Sequence, residues 1–142
     1  MTKKRVLFFC THNSARSQMA EAWLKQLGGS GFEAESAGLD PGTVKPLVIA
    51  AMQEAGIDIS RNRTQSIFEV TKSGRRFDYV IGLCDAESAK RCPFFPGGAR
   101  LLRWDFPERP KGTQAEQEQL AHFRKVRELI KDRVTGWLAE NP

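Results

Sequence analysis

An uninterrupted apolar run, Val6-Leu7-Phe8-Phe9-Cys10, stands directly before a stretch of helical periodicity, and this restricts the fold more than any other feature of the chain. A strand with no polar alternation has no face to offer water, so it must be covered on both sides. Residues 5–10 therefore read as a buried first strand. Residues 14–27 read as a helix with Met19, Ala22, Trp23 and Leu27 on one face, ended by Gly28-Gly29. The same alternation continues. A second strand is expected over residues 32–37, and a helix opened by Pro46 runs to Gly56. A short helix covers residues 67–72, and strands cover residues 79–83 and 100–104. A final amphipathic helix spans residues 115–138, with Leu120, Phe123, Val126, Ile130, Val134 and Leu138 as its apolar stripe. Strands alternating with helices predict an α/β three-layer sandwich, a central four-stranded parallel sheet with helices on both faces.

The 142 residues suit one domain, spanning residues 1–142, large enough to bury a core without staples. No apolar stretch approaches the length of a membrane span, and Lys3, Lys4 and Arg5 precede a segment too short for a secretory signal. Three cysteines, an odd number, fit a reducing compartment, so a cytoplasmic protein is expected, and a monomer is expected separately. Cys10, Cys84 and Cys92 are too far apart for a zinc site, and His12 and His122 do not complete one. The net charge of +5 suits an anionic ligand or nucleic acid. In the C-terminal segment, however, the basic residues Arg124, Lys125, Arg127, Lys131 and Arg133 are interleaved with acids, the pattern of a solvated helix face. No nucleic-acid or membrane partner is expected.

The chemistry concentrates where the first strand ends. Ligands of open α/β sheets bind at the carboxyl ends of strands. A loop entering a helix N-terminus presents backbone N–H groups and the positive end of the helix dipole to an anion. Cys10-Thr11-His12-Asn13-Ser14-Ala15-Arg16 is such a loop. Arg16 adds a planar fork able to hold two oxygens of an oxyanion at once. The same field favours a thiolate at Cys10, and Ser17 can hydrogen-bond the sulfur. Cys10 can alternatively be read as a small hydrophobe closing a core strand. The succession of strand, cysteine, five residues, arginine, serine and helix favours a nucleophile, because each part acts on one anion. Asn13 can brace the loop, and His12 contributes a turn or a contact.

The run Cys10-Thr11-His12-Asn13-Ser14-Ala15-Arg16-Ser17-Gln18, followed by Met19-Ala20-Glu21-Ala22, resembles the active-site loop of the low-molecular-weight protein tyrosine phosphatases. It resembles more closely that of the arsenate reductases built on the same fold. The likeness covers nearly the whole chain, including Ser36-Ala37-Gly38, Gly56-Ile57-Asp58-Ile59-Ser60 and Phe123-Arg124-Lys125-Val126-Arg127. It implies a bound arsenate, with phosphate or sulfate as analogues, held by Cys10, Thr11, His12, Asn13, Ser14, Ala15, Arg16 and Ser17. It also implies a relay in which Cys10 attacks arsenic, Cys84 attacks Cys10, and Cys92 attacks Cys84. The final disulfide is then reduced by thioredoxin or a related dithiol protein, with no tightly bound cofactor. A phosphatase of this fold has no need of two further cysteines, which favours reduction over hydrolysis. A phosphatase and a non-catalytic oxyanion-binding module remain the alternatives.

Two implications of the likeness fit less well. Relatives carry an Asp-Pro general acid after a tryptophan. Here the stretch is Trp104-Asp105-Phe106-Pro107-Glu108-Arg109-Pro110, so Glu108 is the candidate and Asp105 the runner-up. Some reductases of this kind also bind potassium. Asn13, Glu21, Ser36 and Thr64 match that site, but Ser66 stands where an aspartate is expected, and no bound metal is expected. Asp85 is a good N-cap for a helix over residues 86–91. A helix between Cys84 and Cys92 holds them about 12 Å apart, whereas a disulfide requires Cα atoms within roughly 4.4–6.8 Å. The segment is therefore expected to loop out when they join.

Overall fold

A computed structural model describes residues 3–95, 97–106 and 115–142. Four strands, β1 (Lys4–Cys10), β2 (Phe32–Gly38), β3 (Tyr79–Gly82) and β4 (Arg100–Arg103), form one sheet in the order β2-β1-β3-β4. All three pairings are parallel, with Cys10 opposite Gly38 and Phe9 opposite Gly82. The unbroken apolar run thus occupies an interior position between two neighbours, where both of its faces are covered. The helices are α1 (Arg16–Leu27), α2 (Pro46–Glu54), α3 (Ile67–Lys72), α4 (Ala86–Ala89) and α5 (Glu116–Glu140).

Alternate residues of β1 feed two cores. Val6, Phe8 and Cys10 face a large cluster built with α1, α2 and α5, in which Met19, Trp23, Val48, Met52, Val126 and Ile130 are buried. Leu7 and Phe9 face a smaller cluster with Ile67 and Val70 of α3, together with Val80, Cys84 and Phe95. The expected three-layer α/β sandwich with a four-stranded parallel sheet is the architecture found. The long helix α5 is fixed across α1 by a hydrogen bond from Trp23 Nε1 to the Arg127 carbonyl (3.1 Å). It is fixed to the end of α2 by Arg124 and Arg127 on Glu54.

Several boundaries differ from the sequence reading for identifiable reasons. Helix α1 starts at Arg16 rather than at residue 14, because Ala15 stands at φ −141°, ψ −86°, outside the helical region, two residues after the left-handed Asn13 (φ 55°). Helix α2 stops at Glu54, since Gly56 turns left-handed at φ 83°. The buried stripe of α5 runs Phe123, Val126, Ile130, Val134, Trp137. The helical repeat carries the stripe to Trp137, and Leu138 is only partly buried. Helix α4 has four residues rather than six. Single turns continue it to Cys92, where Pro93 disfavours a helical residue before it. No helix among the described residues is long and apolar enough to cross a membrane.

Candidate active site

The segment between β1 and α1 forms a bowl whose carbonyls point outward and whose amides do not. The carbonyl oxygens of Cys10, Thr11 and His12 accept from the amides of Leu39, Asp40 and Gly42 (3.1, 2.7 and 2.9 Å). Those of Ser14 and Ala15 accept from Lys45 and Met19. Among the described residues, the amides of residues 11–16 donate to no protein acceptor. All but His12 of these residues are buried or half-buried, donors so placed require a partner, and a ring of them at a helix N-terminus is suited to an oxyanion. The cavity they open into measures about 190 Å³ and is lined by Cys10, Thr11, His12, Ser14, Ala15 and Arg16 from the loop. Arg16 forms no ion pair among the described residues, so its guanidinium is available to a ligand.

The side chains of Asn13 and Ser17 stand behind this wall rather than in it. Both are fully buried. The Asn13 amide donates to Ser17 Oγ (2.8 Å), and the Ser17 hydroxyl lies 2.9 Å from Cys10 Sγ. With its oxygen accepting from Asn13, the hydroxyl has its own proton to direct at the sulfur, the arrangement a thiolate needs. Asn13 Oδ1 accepts from the Gln65 amide, and its carbonyl accepts from Gln18, so the left-handed turn is held on several sides. His12 makes the contact expected of it, through Nδ1 to the Asp40 carbonyl (3.0 Å).

The floor of the bowl depends on Gly38. A Cβ there would lie 2.9 Å from the Asn13 amide nitrogen and 2.9 Å from the His12 carbonyl carbon. Both are backbone atoms that cannot swing aside, so Gly38→Ala should displace the loop. We expect oxyanion affinity, measured by phosphate titration calorimetry, to fall about tenfold or more, the loss of one good hydrogen bond to a charged group. Unchanged affinity would mean that the loop position is not set by β2.

The cavity also has walls that carry no local signal in the chain. Lys45, just before α2, and His122, Phe123 and Val126 of α5 line it. Phe123 and Val126 read as core from their spacing, which they also are, and nothing near His122 shows that α5 crosses the mouth.

Cys84 lies just past β3, beside the strand that ends in Cys10, and it is almost wholly buried. It belongs to the smaller core, whereas Cys10 belongs to the larger one, so the two side chains start from opposite faces of the sheet. Burial raises the Cys84 thiol above its ordinary range, and the Cys10 sulfur pushes it the same way. Cys92 is half-buried, and burial with the charge of Cys84 pushes it up to about 11. Since the thiolate is the nucleophile, alkylation of Cys92 in the folded protein should rise about tenfold per pH unit until near pH 11. The folded state keeps this proton above the pH at which the unfolded chain releases it, near 8.5, so the reduced protein should lose stability as pH rises through that window. Peptide mapping after alkylation across pH 7–11 measures the profile. A native midpoint equal to that of the denatured chain would contradict the burial assignment.

The acid candidates fare differently. Asp105 is exposed, paired with Arg103, and not among the described residues that line the cavity. Glu108 lies outside the described residues. The residues matching the potassium site are engaged with protein partners. Glu21 accepts from Ser36 Oγ and from the Lys25 ammonium, both at 2.6 Å. Thr64 Oγ1 donates to the Gly42 carbonyl, and Ser66 Oγ caps α3. An ammonium already sits on the one carboxylate of the set, so the group as arranged does not fit a cation.

The chain belongs to the low molecular weight phosphotyrosine protein phosphatase family, whose model matches residues 5–141. Its relatives in that family include arsenate reductases. That of Bacillus licheniformis is 39% identical over 134 residues, 94% of each chain. An arsenate reductase solved in a phosphate-binding state superposes with a TM-score of 0.77 at 32% identity, covering 98% of this chain and 99% of that one. The thioredoxin-dependent arsenate reductase of Corynebacterium glutamicum gives 0.76 at 29% identity, covering 97% of this chain and 61% of that one.

Proposed function

We propose that this chain reduces arsenate to arsenite through Cys10, Cys84 and Cys92, with a thioredoxin-type dithiol protein as the external reductant. The observation that carries the reading is the bowl of amides and the Arg16 guanidinium around Cys10, unpaired among the described residues, with a buried second thiol just past the adjacent strand. The Cys10 thiolate attacks arsenic, and an arsenate oxygen leaves as water after taking up protons. Cys84, as thiolate, then attacks the Cys10 sulfur. The S–S bond forms, the S–As bond breaks, and its electron pair stays on arsenic, which leaves as arsenite. Cys92 next attacks Cys84, forming the Cys84–Cys92 bridge and releasing Cys10 as thiolate, an exchange with no net redox change. The dithiol protein returns both sulfurs to thiols. In sum, one arsenate and two thiols give one arsenite, one disulfide and water.

Hydrolysis of a phosphoester uses the same bowl and leaves Cys84 and Cys92 without a task, which is why reduction is preferred. The deciding assay measures arsenite formed with a thioredoxin system, run beside hydrolysis of an aryl phosphate. Arsenite production that disappears in Cys10→Ser supports the reading. Hydrolysis alone would make the protein a phosphatase, and phosphate binding with neither reaction would make it a binding module.

A further inference from the structure

The turn that carries Cys92 is tied to the anion bowl by an ion pair that nothing in the chemistry above employs. Arg91, one residue before Cys92, places both terminal nitrogens on Asp40, with Nη1 to Oδ2 at 2.7 Å and Nη2 to Oδ1 at 3.0 Å. Asp40 is not a free surface acid. Its amide donates to the Thr11 carbonyl (2.7 Å), and its carbonyl lies 3.0 Å from His12 Nδ1, so its backbone is bound to the loop that surrounds Cys10. The bidentate fork gives this contact a fixed direction, unlike a pair of mobile charges. On the other side of Arg91 the chain is wound in helix-like turns, with Lys90, Arg91 and Cys92 donating their amides to Glu87, Ser88 and Ala89. At about 1.5 Å per residue, residues 86–92 alone extend roughly 9 Å. A Cys84–Cys92 bridge, with Cα atoms at most about 6.8 Å apart, requires these turns to unwind. Arg91, next to the moving sulfur, is drawn from Asp40 as they do.

We propose that Arg91 and Asp40 are positioning residues forming a latch, which holds the Cys84–Cys92 segment wound against the anion loop until Cys92 is called to Cys84. The inference rests on the relay reading for its purpose, but the latch itself is measurable in the fully reduced protein without any turnover. Both partners are more than two-fifths exposed, so added salt should weaken the pair.

The test is the rate of Cys92 alkylation in the reduced protein at fixed pH, followed by peptide mapping. Asp40→Asn should raise the rate about threefold to fivefold, the scale of one exposed pair with good geometry. The wild-type rate should rise with added sodium chloride, whereas the Asp40→Asn rate should not. Arg91→Gln, which leaves the loop side untouched, should reproduce both effects, and the exchanged pair Asp40→Arg with Arg91→Asp should return the rate toward wild type. Equal rates in wild type and both single variants, or a salt response that persists in them, would overturn the latch. Thioredoxin-driven arsenite formation, measured separately, judges the relay, so failure of one idea is distinguishable from failure of the other.

Discussion

Replacing Arg16 with lysine is expected to lower kcat/KM for arsenate by about a hundredfold to a thousandfold, the scale of removing a preorganised donor from an oxyanion site. Arg16 lines the cavity and is the first residue of α1. Lysine keeps the positive charge and the helix propensity, so a simple electrostatic role would survive the change. What it cannot reproduce is a planar fork meeting two oxygens at once. Because Arg16 pairs with no acid among the described residues, its replacement leaves no orphaned carboxylate, and thermal unfolding should stay near that of wild type. Phosphate should also cease to protect Cys10 from alkylation. A variant reducing arsenate at close to the wild-type rate would remove Arg16 from the site.

Cys92→Ser is expected to convert a cycling enzyme into a single-use one. Serine is close in size and cannot form a disulfide, so the fold and the first two steps should persist. Given arsenate without reductant, the variant should release a single equivalent of arsenite and stop with Cys10 bridged to Cys84, and α4 should keep its helical turns. The wild-type protein should instead accumulate the Cys84–Cys92 bridge, with loss of amide protection across residues 86–92. Mass mapping of the bridges and hydrogen exchange separate the two cases. Sustained thioredoxin-driven cycling by the variant would sink the three-cysteine relay.

The strand, the bowl and most helices could be read from the chain because each is written locally. Val6 to Cys10 has no polar alternation, Pro46 opens a helix, and Asp85 caps one. Elements recorded only in register or in distant pairing were not legible. Which face Cys84 occupies depends on Phe8 lying opposite Ile81, a register with no local signature. The partnership of Arg91 with Asp40 spans 51 residues, and His122 reaches the cavity only because α5 docks across α1. The left-handed turn at Asn13 was likewise invisible, since the sequence after the loop is already helical in composition.

The sheet separates two kinds of chemistry. Cys10 and the bowl grow from the core shared by α1, α2 and α5, whereas Cys84, Cys92 and α4 belong to the core on the opposite side. Substitutions that share no packing partners tend to add without interacting. The two sides still meet at two places, since Cys84 feels the Cys10 sulfur and Arg91 holds Asp40 beside the loop, so substitutions at those contacts are expected to interact. Away from those two contacts, the far side of the sheet can be refurnished while the oxyanion cradle keeps its own packing.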